Sequence, residues 1–310
     1  MLKFIRNYKL PYIVYNYFHK DKLKHNIPLY KKYEVDKKYY SPISSSDFSH
    51  LPDSERKIDQ NKLTDTEFFK NLSKENQEST LRYDENGYLV LRNFLRPEDA
   101  DKINEEVDQL VKDGTLKFHY GGKLMFAIHH SEIIKRIGAD QKLLDFLSVL
   151  LDGKAKLFQS INFINGSQQK THSDSIHMTT YPLGGLLGVW IALEDVDENN
   201  GALHYIPKSH KLPYFLNSDY DNEGNAFRIG KKSYKAYEEF LENKVKELGL
   251  KKEIFKAKKG DLLIWHANIL HGGEPHLDKN RTRKSLVYHI FDENSVCYHE
   301  VTQRPALFGL

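Results

Sequence analysis

Residues 186–193 read Leu186-Leu187-Gly188-Val189-Trp190-Ile191-Ala192-Leu193, set between Gly184-Gly185 and Glu194-Asp195. A short apolar run bounded by turn formers predicts a strand over 186–193. Runs of the same kind stand at 155–163, 202–206, 261–266 and 285–291, each punctuated by Gly, Pro, Asn or Asp. Strands at this density, without helices alternating between them, predict a β-sandwich or jelly roll rather than repeated β/α units. The glycines at 184, 185 and 188 lack the spacing of a dinucleotide or phosphate loop.

Upstream the periodicity changes. Asn86-Gly87 is a turn signal and predicts a strand over 88–94. Pro97 then opens a helix in which Ala100, Ile103, Val107, Leu110 and Val111 recur at helical spacing, and Gly114 closes it. A second helix carries Leu143, Leu144, Leu147, Leu150 and Leu151 and ends at Gly153. Thr64-Asp65-Thr66-Glu67 matches a capping box ahead of Phe68 and Phe69. Residues 41–63 read as a polar linker. Residues 213–255 break the strand pattern, carry a helix over 234–248, and read as an insertion over the mouth of the barrel. The fold class is therefore α+β, mainly β, with flanking helices. The domain reading is a basic, Tyr-rich N-terminal extension and linker over 1–79 and a jelly-roll domain over 80–310.

The chain has 310 residues, 39% of them hydrophobic, which suits one large core with appendages. Forty-six basic residues against 43 acidic ones give a net charge of +3, no argument for nucleic acid. The single cysteine, Cys297, rules out an intramolecular disulfide and a cysteine-based zinc site, and fits a reducing, cytoplasmic setting. Residues 1–40 stand apart, with ten Lys/Arg against three acids and eight tyrosines. A membrane-surface or nucleic-acid arm and an extension packed on the core by its aromatics both fit this composition, and packing is the favoured reading. Lys9, Lys20 and Lys22 interrupt any signal-peptide apolar region, and no apolar run is long enough to span a bilayer.

The chemistry centres on Thr171-His172-Ser173-Asp174-Ser175. On an extended segment, side chains at i and i+2 share a face, so His172 and Asp174 can reach one ion. His271, in Trp265-His266-Ala267-Asn268-Ile269-Leu270-His271-Gly272-Gly273, is the best third ligand. Two imidazoles and one carboxylate on one face of a metal form the facial triad of non-haem Fe(II) oxygenases. A His-x-Asp tripeptide alone is weak evidence among 15 histidines. The wider context decides.

That context is Trp190-Ile191-Ala192-Leu193, then Asn200-Gly201-Ala202-Leu203, then Ile206-Pro207-Lys208-Ser209-His210, all after His-x-Asp. In this order the chain resembles the phytanoyl-CoA hydroxylase-like family of Fe(II)/2-oxoglutarate dioxygenases, over roughly residues 80–310. The resemblance implies a double-stranded β-helix (a jelly-roll, cupin-like core) and a metal site of His172, Asp174 and His271. It also implies Fe(II), 2-oxoglutarate and O2 as the reaction's partners, with succinate and CO2 as products. An arginine about ten to twelve residues after the distal histidine is expected to bind the cosubstrate. Arg281 and Arg283 both qualify, and Arg283 is preferred because it leads straight into an apolar strand. A guanidinium pairs bidentately with a carboxylate and stays charged. Ser285 shares its face and could add a hydrogen bond. Gln159 and Trp190 complete the expected cosubstrate contacts, and Asn162 is a further candidate on the Gln159 strand.

Asp174 favours hydroxylation, since halogenating relatives lack this carboxylate. His177 is expected to face away from Asp174 on a strand, though within reach of a substrate pocket. His204 and His210 are expected to be structural, and His266 would need an extra metal site. Whether His289 faces substrate or core is open. The substrate is expected to be a small molecule: an anionic metabolite, a sugar or an acyl conjugate. Arg228, Lys231, Lys232 and Lys235 could attract an anion, although a solvated face is the plainer reading. Two other functions remain: a zinc hydrolase on the same triad, which would have no need of Arg283, and a non-catalytic binding protein.

Overall fold

The computed structural model of the protein describes residues 7–52 and 56–308. In chain order its strands are β1 (Tyr88–Leu91), β2 (Phe118–His119), β3 (Lys123–Met125), β4 (Ala155–Phe163) and β5 (Thr179–Tyr181). Then come β6 (Leu186–Ala192), β7 (Leu203–Tyr205), β8 (Glu253–Phe255) and β9 (Leu262–His266). The last four are β10 (His271–Gly273), β11 (Ser285–Asp292), β12 (Val296–His299) and β13 (Arg304–Pro305). The main sheet runs β1-β9-β6-β11-β4-β3-β2, and two three-stranded sheets run β10-β7-β8 and β13-β12-β5. This is the expected jelly roll, the double-stranded β-helix of the cupin-like folds.

Alternation along the strands builds two layers of core. Leu187, Val189 and Ile191 of β6, with Leu262, Ile264, Leu286, Tyr288 and Ile290, face the flanking helices Pro97–Lys112 and Gln141–Leu150. Trp190, Ala192, Leu263, Trp265 and Val287 face the opposite way, toward Leu203, Tyr205 and Phe255 of the smaller sheet. A strand buried on both faces reads as a continuous apolar run, which is why 186–193 stands out in the sequence. The Pro97–Lys112 helix starts with Pro at its first position and Glu98 and Asp99 in its first turn, where acids suit the helix dipole.

Several local expectations needed correction. The strand read over 88–94 stops at Leu91, because Arg92 N–H turns to Asn76 Oδ1 (2.8 Å) and Asn93 takes φ +55°. Thr64 caps nothing. It lies inside the helix Gln60–Asp65, and Thr66 caps the next one by accepting from Phe69 N–H. Residues 41–52 are packed rather than strung out as a linker. Ile43 and Phe48 are buried with Tyr181, Val296 and Tyr298, and Phe48 stacks on Tyr181 with ring centroids 4.3 Å apart. Ser45 anchors the turn by donating from both N–H and Oγ to Glu300. The N-terminal segment packs in part through Leu23, Leu29, Tyr30 and Val35. No helix among the described residues is long and apolar enough to cross a membrane.

Candidate metal centre

The centre is built where two loop-to-strand junctions meet. His172 N–H donates to His271 O and His271 N–H to His172 O, both at 2.9 Å. This two-residue antiparallel bridge sets the rings side by side, centroids 4.5 Å apart. Each Nδ1 lies against a backbone carbonyl, Lys170 O at 2.8 Å for His172 and Ile269 O at 3.1 Å for His271. Those contacts place the ring proton on Nδ1 and leave Nε2 with its lone pair. Ser173 is extended, and a 3₁₀ turn begins at Asp174, bringing Oδ1 to 3.8 Å from both Nε2 atoms.

These three ligand atoms lie within 4.8 Å of one another. Metal–ligand bonds of about 2.0–2.2 Å need donor atoms roughly 3–4 Å apart, so the set fits one ion with little adjustment. Protonation fits as well. Burial, with the neighbouring His271, drives the His172 pKa well below its usual value and keeps the ring neutral. Burial alone would raise the Asp174 pKa, but His271, His289 and His172 outweigh it and hold the carboxyl well below the ordinary range. Neutral imidazole and ionised carboxylate are the metal-binding forms.

Trp265 was not foreseen in this role. Its indole N–H donates to Asp174 Oδ2 at 2.8 Å, leaving Oδ1 for the ion. Gly188 makes room for it, since a Cβ there would stand 2.2 Å from the Trp265 ring. His289, whose direction was open, turns inward with Nε2 at 3.8 Å from Asp174 Oδ2 and Nδ1 at 3.0 Å from Gln159 Nε2. His177 does not sit on a strand. It closes the 3₁₀ turn, its N–H donating to Asp174 O, and its ring lines the cavity.

The cavity over this centre has a volume of about 590 Å³. Gln159, Trp190 and Arg283 line it with the triad. Asn162 does not, because three residues along β4 put it on the opposite face from Gln159. Arg283 is 3% exposed and has no carboxylate within 4 Å among the described residues. Its Nε donates to Gly201 O (3.0 Å) and one Nη to Ser285 Oγ (2.6 Å). Burial pulls its pKa down to about 10, with Glu194 opposing, so the guanidinium is charged at neutral pH. Ser285 therefore holds the arginine, and it is not among the residues lining the cavity. The indole N–H of Trp190, also on the cavity wall, is buried without a partner. A fixed buried cation and an orphaned donor in one cavity fit a ligand carboxylate. Arg281 is engaged elsewhere, its Nη1 donating to both carboxylate oxygens of Asp197 at 3.1 and 2.8 Å.

The remaining candidates fall outside the centre. His204 bridges Thr171 Oγ1 (2.9 Å) and Glu274 (2.7 Å), and His210 Nε2 lies 3.2 Å from Asp84 O. His266 packs beside His210, ring centroids 5.6 Å apart. Residues 213–255 contribute nothing to the cavity wall. Their helix Tyr234–Glu247 braces the metal loop instead, with Tyr237 Oη 3.4 Å from Ser173 Oγ. Arg228 is spent on Tyr8, Lys232 on Asp221 and Lys235 on Glu239. The cations that do line the cavity besides Arg283 are Lys123 and Arg304, and Asp174 is the one acid among the described lining residues.

A family model described as phytanoyl-CoA dioxygenase (PhyH) matches residues 83–285. A homologue of phytanoyl-CoA dioxygenase domain-containing protein 1 from Dictyostelium discoideum is 23% identical over 276 aligned positions, covering 72% of this chain and 93% of that protein. The Danio rerio protein of that name is 24% identical over 186 positions, covering 42% of this chain and 63% of its own length. Among solved structures, the α-ketoglutarate-dependent carbocyclase SnoK superposes with a TM-score of 0.58 at 16% identity, covering 74% of this chain and 87% of that one. EctD from S. alaskensis superposes with a TM-score of 0.57 at 16% identity, covering 84% and 88%. At such identity the two structures speak to the fold alone.

Proposed function

The chain belongs to the phytanoyl-CoA dioxygenase family, non-haem iron enzymes that use 2-oxoglutarate and O2, and we propose that it hydroxylates a C–H bond of a small molecule with an acidic group and an apolar body. His172, Asp174 and His271 would hold Fe(II). Bound iron and 2-oxoglutarate supply the oxidising chemistry, yielding succinate and CO2. The protein's own residues prepare the site for it. Trp265 fixes Asp174 so that one oxygen faces the ion. Arg283, braced by Ser285 and Gly201 O, receives the far carboxylate of 2-oxoglutarate. Trp190 offers its free N–H beside it. Gln159 holds His289 against Asp174 from the other side.

The observation that carries this reading is the buried Arg283, in the same cavity as the triad and with no carboxylate within 4 Å among the described residues. Glu194, beyond 4 Å, only partly offsets the burial of this guanidinium, and a dicarboxylate in direct contact would relieve the remaining desolvation cost. The substrate's acidic group is supported by Lys123 and Arg304, and its apolar body by Met125, Phe126, Phe158 and Leu307 on the same wall. With Asp174 as a ligand, a bound iron would have no position freed for a halide, which favours hydroxylation. We read residues 80–310 as the catalytic domain and 1–79 as an extension, its described residues packed on that domain.

The test is anaerobic addition of Fe(II) and 2-oxoglutarate to purified protein, with visible spectra recorded. A metal-to-ligand charge-transfer band in the native protein and its loss in Arg283→Ala are the expected results. Folded, iron-loaded protein without a band would overturn the reading.

A further inference from the structure

The helix Lys9–Phe18 is amphipathic with its polarity reversed. Leu10, Val14, Tyr17 and Phe18 fall at i, i+4, i+7 and i+8, one face of a helix, and are 67%, 47%, 48% and 77% exposed. The opposite face, which packs on the protein, carries Asn16, 1% exposed, its amide donating to Tyr40 O at 3.0 Å. Near the N-terminal end lies a further exposed aromatic, Phe227 at 78%, whose carbonyl accepts from Lys9 N–H at 2.9 Å. A contiguous patch of large apolar side chains is uncommon on a surface bathed only by water.

Its rim is cationic. Lys20 Nζ sits 4.8 Å above the Tyr17 ring, Lys22 follows in an exposed position, and Lys24, also exposed, pairs with Asp21 at 2.6 Å, so the rim stays net positive. Residues 7–40 hold eight lysines against three acids. Apolar side chains on one face, tyrosines at its edge and lysines around it match a bilayer boundary with anionic headgroups. A second copy of the chain would bring two like-charged rims together, which is unfavourable.

We propose that this outward face of Lys9–Phe18 is a lipid-binding surface that seats the protein on an anionic membrane. The same helix contributes Tyr15 and Asn16 to the wall of the cavity that holds the triad. Apolar substrate could thus enter from the lipid side, a consequence that rests on the reading of the cavity given above. The surface itself does not depend on that reading.

The experiment is co-sedimentation of the full chain with phosphatidylcholine vesicles, with and without an equal share of phosphatidylglycerol, at low and high salt. Binding to the anionic vesicles is expected, with weakening as salt rises. Leu10→Glu combined with Phe18→Glu is expected to weaken vesicle binding more than about tenfold. Both positions are exposed, so the variant keeps its fold, and an unchanged charge-transfer band with Fe(II) and 2-oxoglutarate checks this. That readout also separates failure of the membrane surface from failure of the metal-site reading. No binding to anionic vesicles at low salt, or undiminished binding by the double variant, would overturn the proposal. So would a native dimer that the same variant converts to monomer, since that assigns the face to a second copy.

Discussion

Trp265 donates its indole N–H to Asp174 Oδ2 at 2.8 Å while its ring lies over His271, centroids 4.7 Å apart. One side chain thus orients two members of the triad. Partners behind metal ligands commonly govern affinity by about 10–100-fold. Trp265→Phe keeps an aromatic ring and removes the donor. Fe(II) titration followed by the charge-transfer band is expected to show binding weakened within that range. Unchanged affinity in a folded variant would mean that Asp174 needs no such partner.

Gly188 faces Trp265 across the β6–β9 ladder, and a Cβ there would stand 2.2 Å from the indole. Gly188→Ala must therefore move the ring or the strand. A destabilisation of about 1–3 kcal/mol is expected, as for other overpacked cores. Iron affinity should fall with it, because the displaced indole loses Asp174. Denaturant unfolding and iron titration on the same preparation test both parts. Loss of stability with full iron affinity would show that the strand yields and the indole stays.

Arg283 is held by Gly201 O and Ser285 Oγ and meets no carboxylate within 4 Å among the described residues. Arg283→Gln removes the charge and keeps a shorter polar side chain. The 2-oxoglutarate affinity is expected to drop at least about 30-fold, since losing one partner of a buried ion pair costs ~2–5 kcal/mol. Iron binding should persist, because none of the triad touches this residue through a hydrogen bond. Ser285→Ala should give a smaller loss, as it frees the guanidinium without discharging it. Equal 2-oxoglutarate affinity in Arg283→Gln would assign the cosubstrate to another cation.

Much of this was legible in the sequence because it depends on short-range pattern. β6 and β11 are buried along their whole length and read as apolar runs. The clustering of His172, Asp174 and His271 was legible as a motif, and the placement of Arg283 in the cavity wall follows its place ahead of β11. What escaped depends on register and on contacts across the chain. Trp265 reaches Asp174 because it pairs with Gly188, which no spacing announces. His289 faces inward just before a shift in the β11–β4 register, a local irregularity that simple alternation does not convey. Residues 41–52 look like a linker because their apolar partners, Tyr181 and Tyr298, lie far along the chain.

Several histidines away from the triad are buried as neutral rings. Burial is the chief cause that pushes the His266 pKa from 6.5 down to about 3, and those of His25 and His299 down to about 4. Their folded pKa values lie below the unfolded one. As pH falls below 6.5 the unfolded chain takes up protons that the folded protein refuses, so stability is lost down to about pH 4. Above 6.5 these groups contribute no pH dependence. The melting temperature of metal-free protein is expected to be level above neutrality and to fall steadily from mildly acidic pH downward. A melting temperature that stays level through that acidic window would mean these rings titrate normally.

Phe48 is 4% exposed and stacks on Tyr181 with an interplanar angle of 5°. It also faces Tyr298, centroids 5.8 Å apart, so it ties the N-terminal extension to β5 and β12 at once. In a mobile linker, Phe48→Ala would change stability by no more than about 0.5 kcal/mol. In the packed arrangement the expected cost is ~3–5 kcal/mol, the usual range for removing a buried phenylalanine. Urea unfolding of the two proteins decides between these magnitudes. The charge-transfer band adds a second readout. β12 ends in His299, which lines the cavity beside His177, ring centroids 5.3 Å apart. Loosening Phe48 should therefore leave iron and 2-oxoglutarate binding intact while disturbing the outer wall. A large stability loss with a normal band is the combined result that places the extension in the fold and outside the metal chemistry.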